Sequence, residues 1–237
     1  MASPFLSAEW QHLIMANYIV DPAVLMPYLP NKTELDSYND KMYISLVGFM
    51  FTNTRIMGLK IPWHVNFEEV NLRFYVRYND KGQLKRGTVF IKEIVPKSAI
   101  SFIANTIYHE NYCTKRMKHS LDIAPGELKA VYQWKHRSYW NAMEVVADDV
   151  AVPMPAGSEQ AFIAEHYWGY SRYNADTTYE YNVQHPAWEI YPLKKHVINC
   201  DFASLYGSGF SFLNGNAPNS VFLCKGSPVS VFKKRKL

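Results

Sequence analysis

A ten-residue segment of the chain alternates chemically reactive side chains with apolar ones. From Glu69 to Tyr78, a carboxylate, an amide, two guanidinium groups and a phenol occupy every second position, and aliphatic or aromatic residues fill the positions between them. This alternation predicts a β-strand with one polar and one apolar face. The polar face carries Glu69, Asn71, Arg73, Tyr75 and Arg77.

The surroundings of that polar face decide whether its residues do chemistry. A half-buried antiparallel strand ordinarily turns its polar face to water, and this interpretation gives the residues no function. If the face instead lines a pocket or the interior of a barrel, Glu69, Asn71, Arg73 and Tyr75 form a binding row. The strand pattern alone leaves both alternatives open.

Two further places combine a titratable side chain with apolar neighbours. Glu165 lies in a predicted helix from Glu159 to about Tyr167, which Ser158 caps, and it shares a face with apolar residues. Its carboxylate needs a partner, either in a structural ion pair or in catalysis. His185 precedes a proline, which holds it extended close to Trp188, where it either anchors a loop or lines a site.

Turn signals and periodicity predict the elements around the row. The turn from 79 to 82 joins it to a second strand, Lys85 to Val95, and an amphipathic helix near 98 to 110 follows, with Ser98 as its cap. Many short strands follow, including one from Phe202 to Phe212, and Gly48 in an earlier strand marks a bulge or a close backbone approach. This favours an α+β fold of mainly antiparallel strands.

Length and composition predict a single domain over residues 1–237. No linker divides the 237 residues, of which 48% are hydrophobic and 15% aromatic. The three cysteines are widely spaced and form no zinc motif, and no apolar run is long enough to cross a bilayer. We therefore expect a cytoplasmic protein with no metal, no cofactor and no membrane partner.

The excess positive charge lies at the C-terminal end. The net charge is +4, and the run from Lys233 to Lys236 carries four positive charges. Such a run either contacts an anionic partner or forms a solvated, flexible end, and we expect the second. The basic cluster at 115–119 lacks the interleaved aromatic residues of a single-strand binding platform, so no nucleic-acid partner is expected.

Several motifs together resemble a known group of bacterial proteins. They are Glu69-x-Asn71-x-Arg73-x-Tyr75, the opening segment 10–36, the helix at 161–167 and His185-Pro-Ala-Trp188. In this order and spacing they resemble the YqjF-like uncharacterised family of the acetoacetate decarboxylase-like superfamily, up to about position 197. The resemblance implies cone-shaped, barrel-like antiparallel sheets, two or three short helices and an internal pocket, which turns the Glu69 row towards the lumen.

The resemblance also implies that part of the decarboxylase chemistry is missing. The decarboxylases form a Schiff base through a lysine in a Pro-Lys-Lys run after a helix, and Tyr112 stands at the position of that lysine. Glu69 falls where the decarboxylases keep a pocket glutamate. Ser45 stands at the position of their second glutamate, and their substrate arginine falls near Gln11.

Two functions follow from this resemblance. The first is a binding module for a small organic acid, a carbonyl compound or an apolar metabolite. The alternative is an enzyme with non-covalent acid–base catalysis on a small carbonyl or carboxylate substrate, with Glu69 as base, Tyr112 as acid and Arg73 orienting a carboxylate. A third interpretation keeps the same residues as a satisfied polar network. The missing lysine favours the binding module, and the pocket candidates are Glu69, Asn71, Arg73, Tyr75, Tyr112, Glu165, His185 and Trp188.

Overall fold

The computed structural model describes residues 3–237 and consists mainly of antiparallel strands. The strands are β1 (Leu6–Val20), β2 (Glu34–Leu35), β3 (Met42–Ile56), β4 (Phe67–Asp80), β5 (Gln83–Val95), β6 (Tyr112–Thr114), β7 (Met117–Ala124), β8 (Glu127–His136), β9 (Tyr139–Ala147), β10 (Val152–Pro153), β11 (Trp168–Arg172), β12 (Thr178–Gln184), β13 (Glu189–Tyr191), β14 (Leu193–Asn199), β15 (Ser220–Val231) and β16 (Arg235–Lys236). The helices are α1 (Pro22–Leu25), α2 (Ser98–Tyr108), α3 (Glu159–Ala164) and α4 (Phe202–Tyr206), with 3₁₀ turns at Met26–Tyr28 and Ser208–Leu213.

The larger of two sheets curls back on itself. Its hydrogen-bonded order is β10-β13-β15-β1-β3-β4-β5-β11-β12-β16, with β2 beside β4 and β6 beside β5. The pairs are antiparallel except for two short parallel ones, β5 with β6 and β5 with β11. β12 also pairs with β15 through Val183 and Gln184, which makes the sheet partly ring-like. The predicted fold class is confirmed.

The polar row lies on β4, in the middle of this sheet. β4 pairs with β3 on one side and with β5 on the other. The turn between β4 and β5 has positive φ angles at Lys81 and Gly82, and the N–H of Gly82 donates to Asn79 Oδ1 at 2.7 Å. Two successive residues with positive φ give the tight hairpin that the sequence predicts here.

The second sheet covers the outer face of the ring. It has the order β14-β9-β8-β7. Val70, Leu72 and Phe74, from the apolar face of β4, share a fully buried cluster with Trp134 of β8 and Met143 of β9. Burial of one such side chain contributes about 1.5–3 kcal/mol, so this face holds the two sheets together.

Gly48 marks the place where the two sheets meet most closely. It pairs with Val70 of β4 and with Ile14 of β1, next to a register shift in β1 between Gln11 and Ile14. A Cβ atom at this position would lie 3.1 Å from the Tyr132 side chain and 3.2 Å from the Met143 sulfur. Side chains of the second sheet therefore pack directly against the backbone of Gly48, and the neighbouring bulge lies in β1, not at Gly48 itself.

The inner face of the ring carries a second apolar cluster. It contains Leu13 and Met15 of β1, Phe49 of β3 and Phe162 of α3. Ser158 caps α3 as predicted, with its Oγ accepting from the N–H of residue 161 at 3.1 Å, but the helix ends at position 164 and not near 167. The polar face of β4 points into this interior, so β4 is buried on both faces.

Two further predictions of secondary structure need correction, one of a helix cap and one of a strand. α2 begins at Ser98 itself, after an N-cap at Lys97 that makes no side-chain hydrogen bond within the described residues. Phe102 of this helix is 71% exposed. The segment from Phe202 to Phe212 was predicted as a strand, but Asp201 caps a short helix there by accepting from the N–H of residue 204 at 3.1 Å. No helix in residues 3–237 is long and apolar enough to span a membrane.

The basic C-terminal end is docked, and the expected solvated, flexible end is wrong. β16 pairs with Tyr179 and Glu180 of β12. Arg235 places its Nε 2.7 Å from Glu180 Oε1 and its Nη2 2.6 Å from Asp80 Oδ2. Because Glu180 is fully buried, its carboxylate attracts Arg235 and Lys85, which lies 3.0 Å away.

Candidate functional site

The inner face of the ring surrounds a cavity of about 190 Å³. Side chains of α2 close one side of it. Much of the wall is aromatic, and the Trp10 ring lies 5.5 Å from that of Phe49 and 6.1 Å from that of Trp188, measured between centroids. A concave, mainly apolar space with a few polar groups is typical of a small-molecule site. The aromatic wall and the α2 face include Phe5, Trp10, Phe49, Phe51, Phe67, Phe90, Trp168, Trp188, Ala99, Ile100, Ile103, Ala104 and Tyr108.

Three residues of the predicted row line this cavity. Glu69, Asn71 and Arg73 are 2%, 1% and 7% exposed, so the polar face of β4 lies in the interior and not in solvent. Tyr75 lies outside the cavity wall. Its hydroxyl forms a 2.7 Å hydrogen bond with Ser45 Oγ, which satisfies both groups away from the cavity.

Glu93 is a cavity residue that the sequence analysis missed. The register set by the β4–β5 turn would bring Lys92 opposite Asn71. A bulge after Phe90 shifts this register, and Glu93 pairs with Asn71 instead. Phe90 and Glu93 therefore share the inner face, although regular alternation places residues three apart on opposite faces. No local sequence signal predicted the bulge.

The chain returns to the cavity after α2 with Glu110 and Tyr112. Tyr112 begins β6 and pairs with Glu93 across a parallel ladder. Its hydroxyl donates to Glu69 Oε2 at 3.0 Å, and the hydroxyl of Tyr181 donates to Glu110 Oε1 at 2.7 Å. The structure thus places Tyr112 in the pocket, as the resemblance implied. The sequence analysis overlooked Glu110. It lies two residues before Tyr112, the spacing at which side chains of a strand point to the same face.

Three carboxyl groups share the cavity, and burial disfavours their charged forms. Desolvation raises the pKa of Glu69 to about 7 and that of Glu110 to about 8. The pKa of Glu93 rises well above its ordinary range, first through desolvation and then through repulsion by Glu110 and Glu69. Asn71 opposes the shift of Glu69 by donating its Nδ2 hydrogen to Oε1 at 2.9 Å. Near neutral pH the cluster therefore holds exchangeable protons.

The same environment keeps Tyr112 protonated. Its burial, followed by the charges of Glu69 and Glu93, raises its pKa well above the ordinary value for tyrosine. A phenol with a raised pKa releases its proton less readily. This favours Tyr112 as a hydrogen-bond donor to Glu69 over the acid role that it has in the alternative enzyme function.

Arg73 is a buried cation without an ionic partner in the described residues. It takes part in none of their ion pairs, and its Nε has no hydrogen-bond partner. The Tyr75 ring, 5.7 Å from the guanidinium carbon, gives partial compensation. Gln11, near the implied position of the decarboxylase arginine, lies outside the wall and donates to Glu9 at 3.0 Å. Arg73 is thus the arginine that faces this cavity.

α3 delivers His166 to the cavity, whereas Glu165 is exposed and points away from it. The early end of α3 explains the difference, because Glu165 takes a non-helical conformation with ψ of 56°. His166 Nε2 lies 3.2 Å from Asp36 Oδ2, which Arg86 Nε also contacts at 2.7 Å. Burial lowers the pKa of His166 to about 4, so its ring is neutral near pH 7. Its Nδ1 has no hydrogen-bond partner among residues 3–237.

His185 and Trp188 form part of the wall, as predicted. Their rings stack with centroids 4.3 Å apart and planes at 17°. His185 Nδ1 lies 2.9 Å from the carbonyl oxygen of Pro186, and Trp188 Nε1 donates to Ser227 Oγ at 2.8 Å. Burial lowers the pKa of His185, which favours a neutral, stacking ring over a charged one.

Unmet hydrogen-bonding capacity is concentrated in the cavity. Nine buried side-chain polar atoms in residues 3–237 lack a hydrogen-bond partner, and six of them belong to cavity residues. Buried polar groups are usually satisfied, so this concentration indicates a place for a polar ligand or for water. The six atoms are Trp10 Nε1, Thr54 Oγ1, Asn71 Oδ1, Arg73 Nε, Glu93 Oε2 and His166 Nδ1.

The cavity wall, as far as residues 3–237 form it, contains no lysine. Lys92, on β5, directs its amine to the carbonyl of Leu205. Within the same residues, no three His, Cys, Asp or Glu side chains are grouped so that they could hold a metal ion. The wall therefore offers carboxyl, phenol, imidazole and guanidinium groups, but not the amine that a Schiff base requires.

Solved structures of low sequence identity share this fold. Acetoacetate decarboxylase from Legionella pneumophila subsp. pneumophila str. Philadelphia 1 aligns with a TM-score of 0.66 at 13% identity, covering 100% of this chain and 88% of that one. The enduracididine biosynthesis enzyme MppR complexed with pyruvate has a TM-score of 0.69 at 12% identity, covering 100% and 91%. An acetoacetate decarboxylase-like enzyme from Sphingomonas wittichii RW1 has a TM-score of 0.67 at 9% identity, covering 100% and 94%. At these identities the likeness establishes the fold.

Sequence comparison defines the family. The uncharacterized protein YqjF of Bacillus subtilis (strain 168) is 30% identical over 171 residues, which is 72% of this chain and 66%, just under two thirds, of that protein. The model of the DUF2071 family, described as an uncharacterized conserved protein, matches residues 7–228. The resemblance seen in the sequence is confirmed, and the chain belongs to the DUF2071 family.

Proposed function

We propose that this protein binds a small organic acid in its internal cavity without forming a Schiff base. The observation that carries the proposal is Arg73, a guanidinium that is 7% exposed, lines the cavity and has no ionic partner in the described residues. An unpaired buried charge costs several kcal/mol, and a ligand carboxylate would compensate it through two charge-assisted hydrogen bonds. The aromatic wall suits an apolar or carbonyl-bearing remainder. MppR, which shares the fold, is described in complex with pyruvate, an acid of this class.

The binding test compares two arginines of the same strand and parity. Arg73→Met removes the cavity guanidinium, whereas Arg77→Met removes one whose side chain is 44% exposed and paired with Glu34 outside the cavity. We expect carboxylates such as pyruvate and acetoacetate to raise the melting temperature of the wild type and of Arg77→Met, but not of Arg73→Met. A retained ligand shift in Arg73→Met would contradict the proposal.

Borohydride trapping tests the absence of Schiff-base chemistry. Incubation with acetoacetate or pyruvate and borohydride should leave the mass of the protein unchanged, because the described cavity wall contains no lysine and Tyr112 occupies the position at which the resemblance places the decarboxylase lysine. The acetoacetate decarboxylase of Legionella pneumophila serves as the positive control. A stable mass increase mapped to any lysine of this chain would overturn this part of the proposal.

A second candidate function is non-covalent acid–base catalysis, which the ionisation of Glu69 favours. A carboxyl with a pKa of about 7 is poised to accept and return a proton at neutral pH. Such a base next to a bound carbonyl acid would exchange the hydrogens beside the carbonyl with solvent. Loss of these proton signals of pyruvate in D₂O, faster with the wild type than with Glu69→Gln, would support an enzyme. Equal rates would leave the binding function alone.

A further inference from the structure

We propose that the ligand is a zwitterion, an amino acid or another amino-substituted carboxylic acid, whose carboxylate pairs with Arg73 and whose ammonium group pairs with Glu93 and Glu69. The inference rests on the proposed binding of a carboxylate at Arg73. It adds a second, positive pole to that ligand and so names its class.

The cavity separates its charges along β4. Glu93 pairs with Asn71, which lies two residues from Arg73, and Glu69 lies two residues further on. At about 3.3 Å per residue, the backbone of Asn71 lies about 7 Å from that of Arg73 along the strand, and the backbone of Glu69 lies about 13 Å from it. No carboxylate of the described residues lies within 4.0 Å of the Arg73 guanidinium. A ligand with its amine a few bonds from its carboxylate would bridge the two regions.

Of the unpartnered atoms beside the carboxyl groups, Asn71 Oδ1 is an acceptor, and Glu93 Oε2 becomes one when an approaching cation displaces the carboxyl proton. Glu93 Oε2 and Asn71 Oδ1 lack partners in the described residues, and the two side chains are 2% and 1% exposed. Asn71 already uses its Nδ2 to donate to Glu69, which fixes the amide with its oxygen free. An ammonium group brings three donors to such a place, whereas a keto acid brings only acceptors. The pattern of unmet capacity therefore distinguishes an amino acid from a simple organic acid.

The charge balance of the cavity also favours a ligand with a positively charged group. Three carboxyl groups and one guanidinium line it, and protons hold the carboxyl groups partly neutral because burial raises their pKa. A bound ammonium group would replace such a proton, so binding releases protons. The other charged and titratable groups around the three carboxyls are Arg73 of β4, Tyr108 of α2, Tyr112 and Cys113 of β6, Tyr181 of β12 and Lys234 next to β16.

The experiment uses ligands that share a carbon skeleton and differ in one charged group. Calorimetry compares phenylalanine with 3-phenylpropanoate and 2-phenylethylamine, and leucine with 4-methylpentanoate and 3-methylbutylamine. We expect each amino acid to bind at least about tenfold more tightly than its acid, in keeping with two or more hydrogen bonds to charged groups. This preference should increase between about pH 6 and about pH 8.5, as the carboxyl groups lose their protons.

Two variants assign the preference to the carboxyl cluster. Glu93→Gln should bring the affinities of each amino acid and its acid to within about twofold of each other, since the amide is neutral but isosteric. Glu68→Gln is the matched control, because Glu68 lies next to Glu69 but outside the cavity, where it contacts His119 at 2.7 Å. It should retain the full preference.

The outcomes separate the two proposals. If acids bind as tightly as amino acids, and Glu93→Gln changes nothing, the zwitterion is wrong while the organic-acid site stands. If the amines bind as tightly as the amino acids, Arg73 holds no carboxylate and both proposals fail. Both also fail if none of the six compounds binds.

Discussion

At the residue scale, burial changes the direction in which Glu69 affects stability. Its pKa in the folded protein, about 7, lies above the ordinary value of 4.5. Between these values the folded protein binds more protons than the unfolded chain, so stability is greatest below the lower pKa and is lost as the pH rises through the higher one. Glu93 and Glu110 shift in the same direction. The free energy of unfolding should therefore fall between about pH 5 and about pH 8.

Glu69→Gln tests this dependence. The amide oxygen of Gln can still accept from Asn71, and its NH2 group can donate to the Tyr112 hydroxyl oxygen. Because the amide takes up no charge, the variant should exceed the wild type in stability by about 1–3 kcal/mol above about pH 7. Below about pH 5 the two should be similar. Urea unfolding across the pH range measures both, with Glu127→Gln on an exposed position of β8 as the control. If the free energy of unfolding depends on pH in the same way for the wild type and for Glu69→Gln, the raised pKa of Glu69 is contradicted.

At the element scale, Gly169 of β11 leaves room for the ring of Tyr181, which β12 directs towards the cavity. A Cβ atom on Gly169 would lie 2.1 Å from Cζ of Tyr181, whose hydroxyl donates to Glu110. Gly169→Ala should therefore push this ring, cost about 1–3 kcal/mol and weaken the ligand response. Gly209→Ala, where nothing lies within 4 Å, is the matched control. Chemical denaturation curves that coincide for the two variants would show that the ring yields without cost.

At the scale of the whole molecule, the C-terminal end ties together strands distant in sequence. Arg235 joins Asp80 at the end of β4 to the buried Glu180 of β12, next to the place where β12 meets β15. Arg235→Met leaves Lys85 as the remaining cation on Glu180 and should cost about 1–3 kcal/mol.

Removal of residues 233–237 extends this test to the whole of β16. The deletion should lower the melting temperature by about 5 °C or more, because it also removes the β16–β12 ladder. Lys233→Ala, which changes an exposed residue ahead of β16, should have little effect. An unchanged melting temperature after the deletion would restore the solvated end that the charge run predicts.

Local patterns in the sequence are enough to predict several features of the fold. Alternation over ten residues gave β4 and its two faces, the turn at 79–82 gave the hairpin, and Ser158 gave the start of α3. These depend on side-chain period, φ preference and capping, all of which act over a few residues. The family motifs added the inward orientation of Glu69 and the placement of Tyr112 in the wall.

Long-range packing sets which other groups line the cavity. A bulge in β5 brings Glu93 to the inner face, and the early end of α3 brings His166 inward and leaves Glu165 outside. Arg235 is docked because a buried carboxylate lies across the fold, 55 residues earlier in the chain. Register and long-range partners set these positions, and both depend on contacts between segments that no local pattern records.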